Sequence, residues 1–517
     1  MENDQSSVFV LQLLLLLQTT LFFYAISVND VSSSILSRVA NFVLRRSTTP
    51  CTFEKSGESI PTLEFDWPNG QGTQKFFDGR GSSIRWRHQK GVVYQIWAGF
   101  KPEIVLTRPE HLRSFFNDSD KHRKAPNNNS GWLIGEILGS CLGLVSGSRW
   151  ASMRIPWEHP FSLPAAKSYA SLMTSSAREF IHDLESKAGN TPDTFQIQVT
   201  ESLKMYPFFV VASILFGELS ETQKATLLNL APLRERLWQE GIKGGLNRTV
   251  LAKVFRTRGS RMLAEFKRRW RAFIENAYEE SITHKKNGAI EKLLTHAKHG
   301  EYLTIEECMQ TVDETLYANL DVTTSAVAWS HVLIAQNQAI QDEVRTEVRL
   351  HRQLSETEWE DYINRSDTLL AFSVLEASRL RPILAFSNPE SAPADKLVGD
   401  MVVPRNLIRS LSKTDVIVDS HAINVAHPFW INGTEFNPHR FEGLQPRQYR
   451  YHLFRFGFGP RKCLGQHVAD RMIRSLLAEM LSKYCLSVSE SSESQDHQIQ
   501  DESWVSLPDV LINCARQ

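Results

Sequence analysis

One cysteine inside a glycine-rich decapeptide, Phe456-Gly-Phe-Gly-Pro-Arg-Lys-Cys463-Leu-Gly465, concentrates more chemistry than any other stretch of this 517-residue chain. Glycines fold the loop tightly, Phe456 opens it, and Arg461 and Lys462 bring positive charge towards the sulfur. Nearby cations and backbone N–H groups stabilise a thiolate over a thiol. A thiolate on a rigid, partly apolar loop makes a good single axial ligand for haem iron. A helix starts at Gln466, and Gly465 and Ala469 are small enough for it to pass close under a flat macrocycle. The plain alternative is a buried structural cysteine in a glycine-rich turn.

A second constellation lies in an apolar run from about Ile305 to Gln336 that reads as one long helix. Within it, Ala318-Asn-Leu-Asp-Val-Thr-Thr-Ser325 carries an acid and several hydroxyls. Such groups are costly in an apolar helix unless they are satisfied. Asn319 and Thr323 are four residues apart and share a face, so an amide that donates and accepts could hold a water with the hydroxyl. The alternative is an ordinary helix whose Ser and Thr bond back to their own carbonyls. Trp150 and Arg154 also lie four apart on one face, and Glu376 and Arg379, three apart, can form an ion pair.

The elements that must position these groups can be read in outline. Val92–Trp97 and Glu103–Leu106, separated by Gly99, predict a pair of antiparallel strands. From about 110 to 380 the pattern is mainly helical, with a long, highly charged stretch from Thr249 to His299. Extended segments return from Ile383 to Asp419, followed by a proline-rich meander, the cysteine loop and a last helix. Helices in the majority with some sheet predict a mainly α, α+β fold. Leu407–Lys413 looks like an insertion between two strands.

Lysine plus arginine (58) balances aspartate plus glutamate (58), so no net field recruits nucleic acid. The six cysteines, at 51, 141, 308, 463, 485 and 514, show neither zinc-ligand spacing nor a disulfide framework. Val8 to Ile26 is dominated by Leu, Phe and Val, about the 20 residues that span a hydrocarbon core. Glu2 and Asp4 precede it and Arg38, Arg45 and Arg46 follow, which places the downstream side in the cytosol. The competing reading is a cleaved signal peptide ending near Ala25-Ile26-Ser27, which lacks a basic leading segment. The expected organisation is an anchor over 1–28, a stalk or linker over 29–75 and a catalytic domain over 76–517. With that domain in the cytosol, the Asn-x-Ser/Thr triplets at 117, 128, 247, 364 and 432 carry no sugar.

The cysteine decapeptide resembles, at every defining position, the haem-binding loop of the cytochrome P450 family. Glu376-Ala-Ser-Arg379 followed by Phe436-Asn-Pro-His-Arg-Phe441 resembles that family's structural ion-pair motif, in which Arg440 joins the pair. Trp150-Ala-Ser-Met-Arg154 is similar to its propionate-binding helix, and Ala318–Thr323 to its oxygen-activation segment. Asn319 stands where the family has glycine, and Val322 where it has its first threonine. The match is to membrane-anchored, microsomal-type members, and the tail resembles those of fungal secondary metabolism.

The resemblance implies the family's fold, with haem b between the long central helix and the cysteine loop. Cys463 would be the iron ligand, with Trp150, Arg154, Phe456, Arg461 and Gly465 around the cofactor. Asp321, Thr323 and Asn319 would guide protons. The implied reaction is insertion of one oxygen atom from dioxygen into an apolar small molecule. Electrons would come from NADPH through a cytochrome P450 reductase docked near Arg447, Arg450, Arg461 and Lys462. The implied location is a single-pass membrane protein of the endoplasmic reticulum. Alternatives are a haem-thiolate isomerase or dehydratase that needs no reductase, and a membrane-tethered haem protein without turnover.

Overall fold

The computed structural model describes residues 30–188, 193–404, 414–490 and 504–517. The expected anchor over 1–28 and the expected insertion at 407–413 lie outside these residues. Among them the fold is mainly helical, with two three-stranded sheets and one five-stranded sheet.

The expected strand pair forms as Val93–Ala98 and Lys101–Leu106, antiparallel, with Val93 opposite Leu106. Gly99 turns it with a positive φ of 58°, the backbone geometry that tight hairpins need. Every residue of the first strand is buried, so the sheet is covered on both faces rather than laid on the surface. Lys101–Leu106 also pairs in parallel with Asp415–Val418, which places Glu103 opposite Asp415. Lys75 Nζ at 2.6 Å from Glu103 Oε2 and the Asn129 amide between Glu103 and Asp415 hold these two acids together.

The stretch expected as a linker is integrated into this body. Asp30–Ser47 is a helix whose Leu36 and Leu44 are buried, and Leu44 packs with Phe65 and Trp97. Its other face leaves Ile35, Val39 and Phe42 exposed. Thr52–Phe53 pairs with Met401–Val402.

The central helix starts at Ile305 because Thr304 caps it. The Thr304 hydroxyl accepts from Glu307 N–H, and the Glu307 carboxylate accepts from Thr304 N–H at 2.7 Å. It widens into a π turn at Glu314–Ala318 and resumes as α-helix over Leu320–Gln336. The helices Leu369–Leu380 and Gln466–Lys483 pack against it. Val199–Phe216 holds the window apolar enough to cross a membrane, but it is mostly buried inside the protein and serves as core.

Glu376, Arg379 and Arg440 close the scaffold beside the cysteine loop. Arg379 donates to both Glu376 oxygens at 2.7 and 2.8 Å, and to the carbonyls of Asn424, Gly433 and Glu435. Arg440 Nε reaches Glu376 Oε1 at 2.8 Å. One buried carboxylate thus ties the helix Leu369–Leu380 to the meander that leads into the loop.

Candidate active site

A cavity of about 440 Å³ opens between the central helix and the cysteine loop. Cys463 faces into it, and its backbone N–H donates to Phe456 O at 2.8 Å, closing the loop on itself. Gly457 and Gly459 hold positive φ values of 77° and 69°, and a Cβ at Gly459 would collide with Ser119. At Gly465 a Cβ would point towards Cys463 Sγ at 4.0 Å, so the glycine keeps the floor of the cavity flat beside the sulfur.

The charge around that sulfur differs from the expectation. Arg461 turns away and donates to Val145 O at 2.5 Å, Gly143 O at 3.3 Å and Ser146 Oγ at 3.1 Å, with its guanidinium over the Trp150 ring at 5.1 Å. The guanidinium thus satisfies part-buried acceptors of the 143–146 loop. Burial pushes the Cys463 thiol upward, while a Gly465 N–H and the Arg154 charge pull it down. A metal would settle the balance, since a coordinating thiol is deprotonated outright.

Trp150 and Arg154, on the helix Gly147–Phe161, both line the cavity. Arg154 Nε is buried without a hydrogen-bond partner, and Glu158 Oε1 lies 3.8 Å away, beyond bonding distance. A half-buried guanidinium with an open donor is a receptor for an anion such as a propionate. Phe456, Gly465, Val468 and Ala469 complete an apolar lower wall. Thiol, open guanidinium, stacked indole and apolar floor are together compatible with a haem.

The opposite wall is one face of the central helix: Thr315, Ala318, Asn319, Val322, Thr323 and Ala326. The Asn319 amide donates to Glu314 O at 2.8 Å and so fills the widened π turn. The Thr323 hydroxyl donates to Asn319 O at 2.8 Å. Both polar side chains therefore bond to the helix's own backbone. Asp321 and Thr324 lie on the back of the helix, away from the cavity. Thr324 is fully buried and donates to Leu320 O, whereas Asp321 accepts from the Trp504 indole at 2.8 Å. The structure thus brings Asn319 and Thr323 together over Cys463 and leaves Asp321 outside their face.

Glu314 is a cavity residue the sequence reading passed over. Its carboxylate accepts from Gly143 N–H at 3.1 Å, and burial raises its pKa. The signal was present, since Glu314 is an acid one turn before Ala318 in the same apolar helix. Trp238 and Trp504 also line the cavity, and no spacing rule connects them.

The cytochrome P450 family model matches residues 67–513. The cytochrome P450 monooxygenase gliC of Aspergillus fumigatus is 44% identical, over 93% of each chain. The cytochrome P450 monooxygenase verC of Clonostachys rogersoniana is 43% identical, over 90% of this chain and 89% of its own. Among solved structures, a zebra fish cytochrome P450 with abiraterone superposes with a TM-score of 0.66 over 85% of this chain and all of its own, at 16% identity, and so supports the fold. With the thiol, the open guanidinium and the hydroxyl-bearing helix around one cavity, the chain belongs to the cytochrome P450 family and is a haem-thiolate monooxygenase.

Proposed function

We propose that this enzyme inserts one oxygen atom from dioxygen into an apolar small molecule in a fungal secondary-metabolite pathway. The carrying observation is a cavity that has Cys463 on one wall and the Asn319–Thr323 face on the other. Bound haem supplies the dioxygen activation. Cys463 would ligate the iron, Arg154 would hold a propionate, and Trp150 and Arg461 would close that edge. Ile134, Leu138, Val211, Ile383 and Leu384 exclude water and favour an apolar substrate, the usual character of a small-molecule pocket. Thr323, with Asn319 and Asp321, would move protons towards the cavity.

Electrons would come from NADPH through a reductase docked on the cysteine-loop side. Arg447, Arg450 and Lys462 are exposed and support this; Arg461 is turned inward and leaves that patch. Residues 1–28 would anchor the protein in the endoplasmic reticulum with the catalytic domain in the cytosol. The exposed Ile35, Val39 and Phe42 are consistent with a helix lying against the bilayer.

The test is the ferrous–carbon monoxide spectrum. The holoenzyme should show the red-shifted Soret band of thiolate ligation, and Cys463→Ser should lose it; a normal band in that variant would move the ligand elsewhere. Consumption of NADPH and dioxygen with a reductase present separates a monooxygenase from an isomerase, a dehydratase or a haem protein without turnover.

A further inference from the structure

Behind the central helix, on the side away from Cys463, lies a second cavity of about 20 Å³, bordered by Arg234, Glu235, Trp238, Ala318, Asp321 and Trp504. A space of roughly 10–15 Å³ is enough for one water when polar partners surround it. Two buried donors here have no partner, Arg234 Nη2 and Trp238 Nε1. Arg234 is only 2% exposed, and its Nε is committed to Asp313 at 2.8 Å. The acceptors are carboxylates. Lys204 Nζ stands 3.7 Å from Asp321 Oδ1 and 3.4 Å from Glu235 Oε2, and the Glu235 side chain is 41% exposed. A single water in this chamber would lie beside Arg234 and Trp238 and next to acids in touch with solvent.

Ala318, Trp238 and Trp504 border both this chamber and the main cavity, so they are the partition between them. Trp504 does three things at once. Its indole N–H donates to Asp321 Oδ2 at 2.8 Å, its ring meets Trp238 edge-on at 5.1 Å, and its remaining surface faces the main cavity. Asp321 is thereby held on the chamber side by an indole and a lysine, whereas Thr323 faces the main cavity.

We propose that Trp504 is a positioning residue that keeps Asp321 with the chamber until a molecule fills the main cavity. Occupancy shifts the indole, frees Oδ2 and joins the chamber water to the main cavity, so protons arrive only when there is something to oxidise. The inference rests on the reading of Asp321 as the relay acid. Without such control, NADPH, a proton and dioxygen give NADP⁺ and hydrogen peroxide with no substrate bound.

The experiment uses full-length holoenzyme with a reductase and no added substrate. NADPH consumption and peroxide release are measured in wild type, Trp504→Phe, Asp321→Asn and the double variant. Trp504→Phe keeps a ring against Trp238 but loses the donor. It should raise substrate-free peroxide release about tenfold, because a hydrogen bond to a charged group is worth roughly one to two decades in an equilibrium. The rise should vanish in the double variant, and Trp504→His, which keeps a ring N–H, should restore part of the control.

A second readout does not depend on turnover. Adding 4-phenylimidazole, an azole probe that ligates haem and fills the cavity, should shift a carboxylate infrared band that is missing in Asp321→Asn. In Trp504→Phe that band should already stand at its shifted position. If Trp504→Phe matches wild type in both measurements, Trp504 only fills space and the proposal is overturned. If Asp321→Asn leaves peroxide per NADPH unchanged in both backgrounds, the relay reading falls together with it.

Discussion

Arg379 and Arg154 are both taken out of bulk water, and the structure treats them oppositely. Arg379, with no exposed side-chain surface, has an acceptor for each of its five N–H groups: two carboxylate oxygens and three backbone carbonyls. Arg154 lines the cavity with its Nε open to a hydrogen bond, and the exposed Glu158 carboxylate pairs with it only loosely at 3.8 Å. One charge is matched by the fold itself, the other is left for a ligand. A buried charge completed by its own chain is part of the scaffold. A buried charge left incomplete identifies the place where a second molecule belongs.

Removing one member of each region should separate the two sharply. Glu376→Gln strands the Arg379 and Arg440 charges and should cost about 3–5 kcal/mol of stability. Denaturant unfolding would show a lowered midpoint, and a midpoint within error of wild type would mean that the triad adds nothing. Arg154→Leu removes a charge whose carboxylate partner, Glu158, is exposed and 3.8 Å away, a pair worth little, so the apoprotein should unfold at the same denaturant concentration or a higher one. Its deficit should appear as faster haem loss to a scavenger, by about tenfold to a hundredfold, the value of a hydrogen bond between charged groups. Equal losses of apoprotein stability in the two variants would erase the distinction.

The central helix offers a finer version of the comparison, because Thr323 and Thr324 are adjacent and chemically identical. Thr323 faces the cavity, whereas Thr324 is buried on the back and bonded to Leu320 O. Thr323→Ala should keep haem and substrate binding but raise the peroxide formed per NADPH consumed, and Thr324→Ala should be milder. The reverse order would move the relay alcohol to Thr324.

The smallest effect concerns a third cluster, where the fold completes its charges only in part. Asp415 faces Glu103 across the parallel strand pair, and one of its oxygens is buried without a partner. Burial, with the Glu103 charge adding to it, pushes the Asp415 pKa up to about 7 from 3.8. Because the folded value lies above the unfolded one, the neutral acid is favoured in the native state. Its contribution is complete below about pH 4 and is lost as pH rises through about 7. Asp415→Asn should flatten the fall in stability across that window, as read by unfolding at a series of pH values. An unchanged slope would assign the pH dependence to other groups.

What the sequence determined by itself is whatever lies within one turn of helix or one loop. The cysteine decapeptide, Trp150 with Arg154, Glu376 with Arg379, and the facing of Asn319 with Thr323 follow from the 3.6-residue period and from glycine's access to positive φ. The strand pair at 93–106 and the capped central helix belong to the same class. The tertiary structure decided how distant segments share polar groups. It sent the Arg461 guanidinium to carbonyls of residues 143–145 instead of the sulfur, and it set Glu314 against Gly143. It also brought Trp504 to Asp321, 183 residues away. Each of these partners satisfies a buried donor or acceptor that local spacing leaves open. Which distant group will supply that satisfaction depends on how the elements pack, and no pattern within either segment records it.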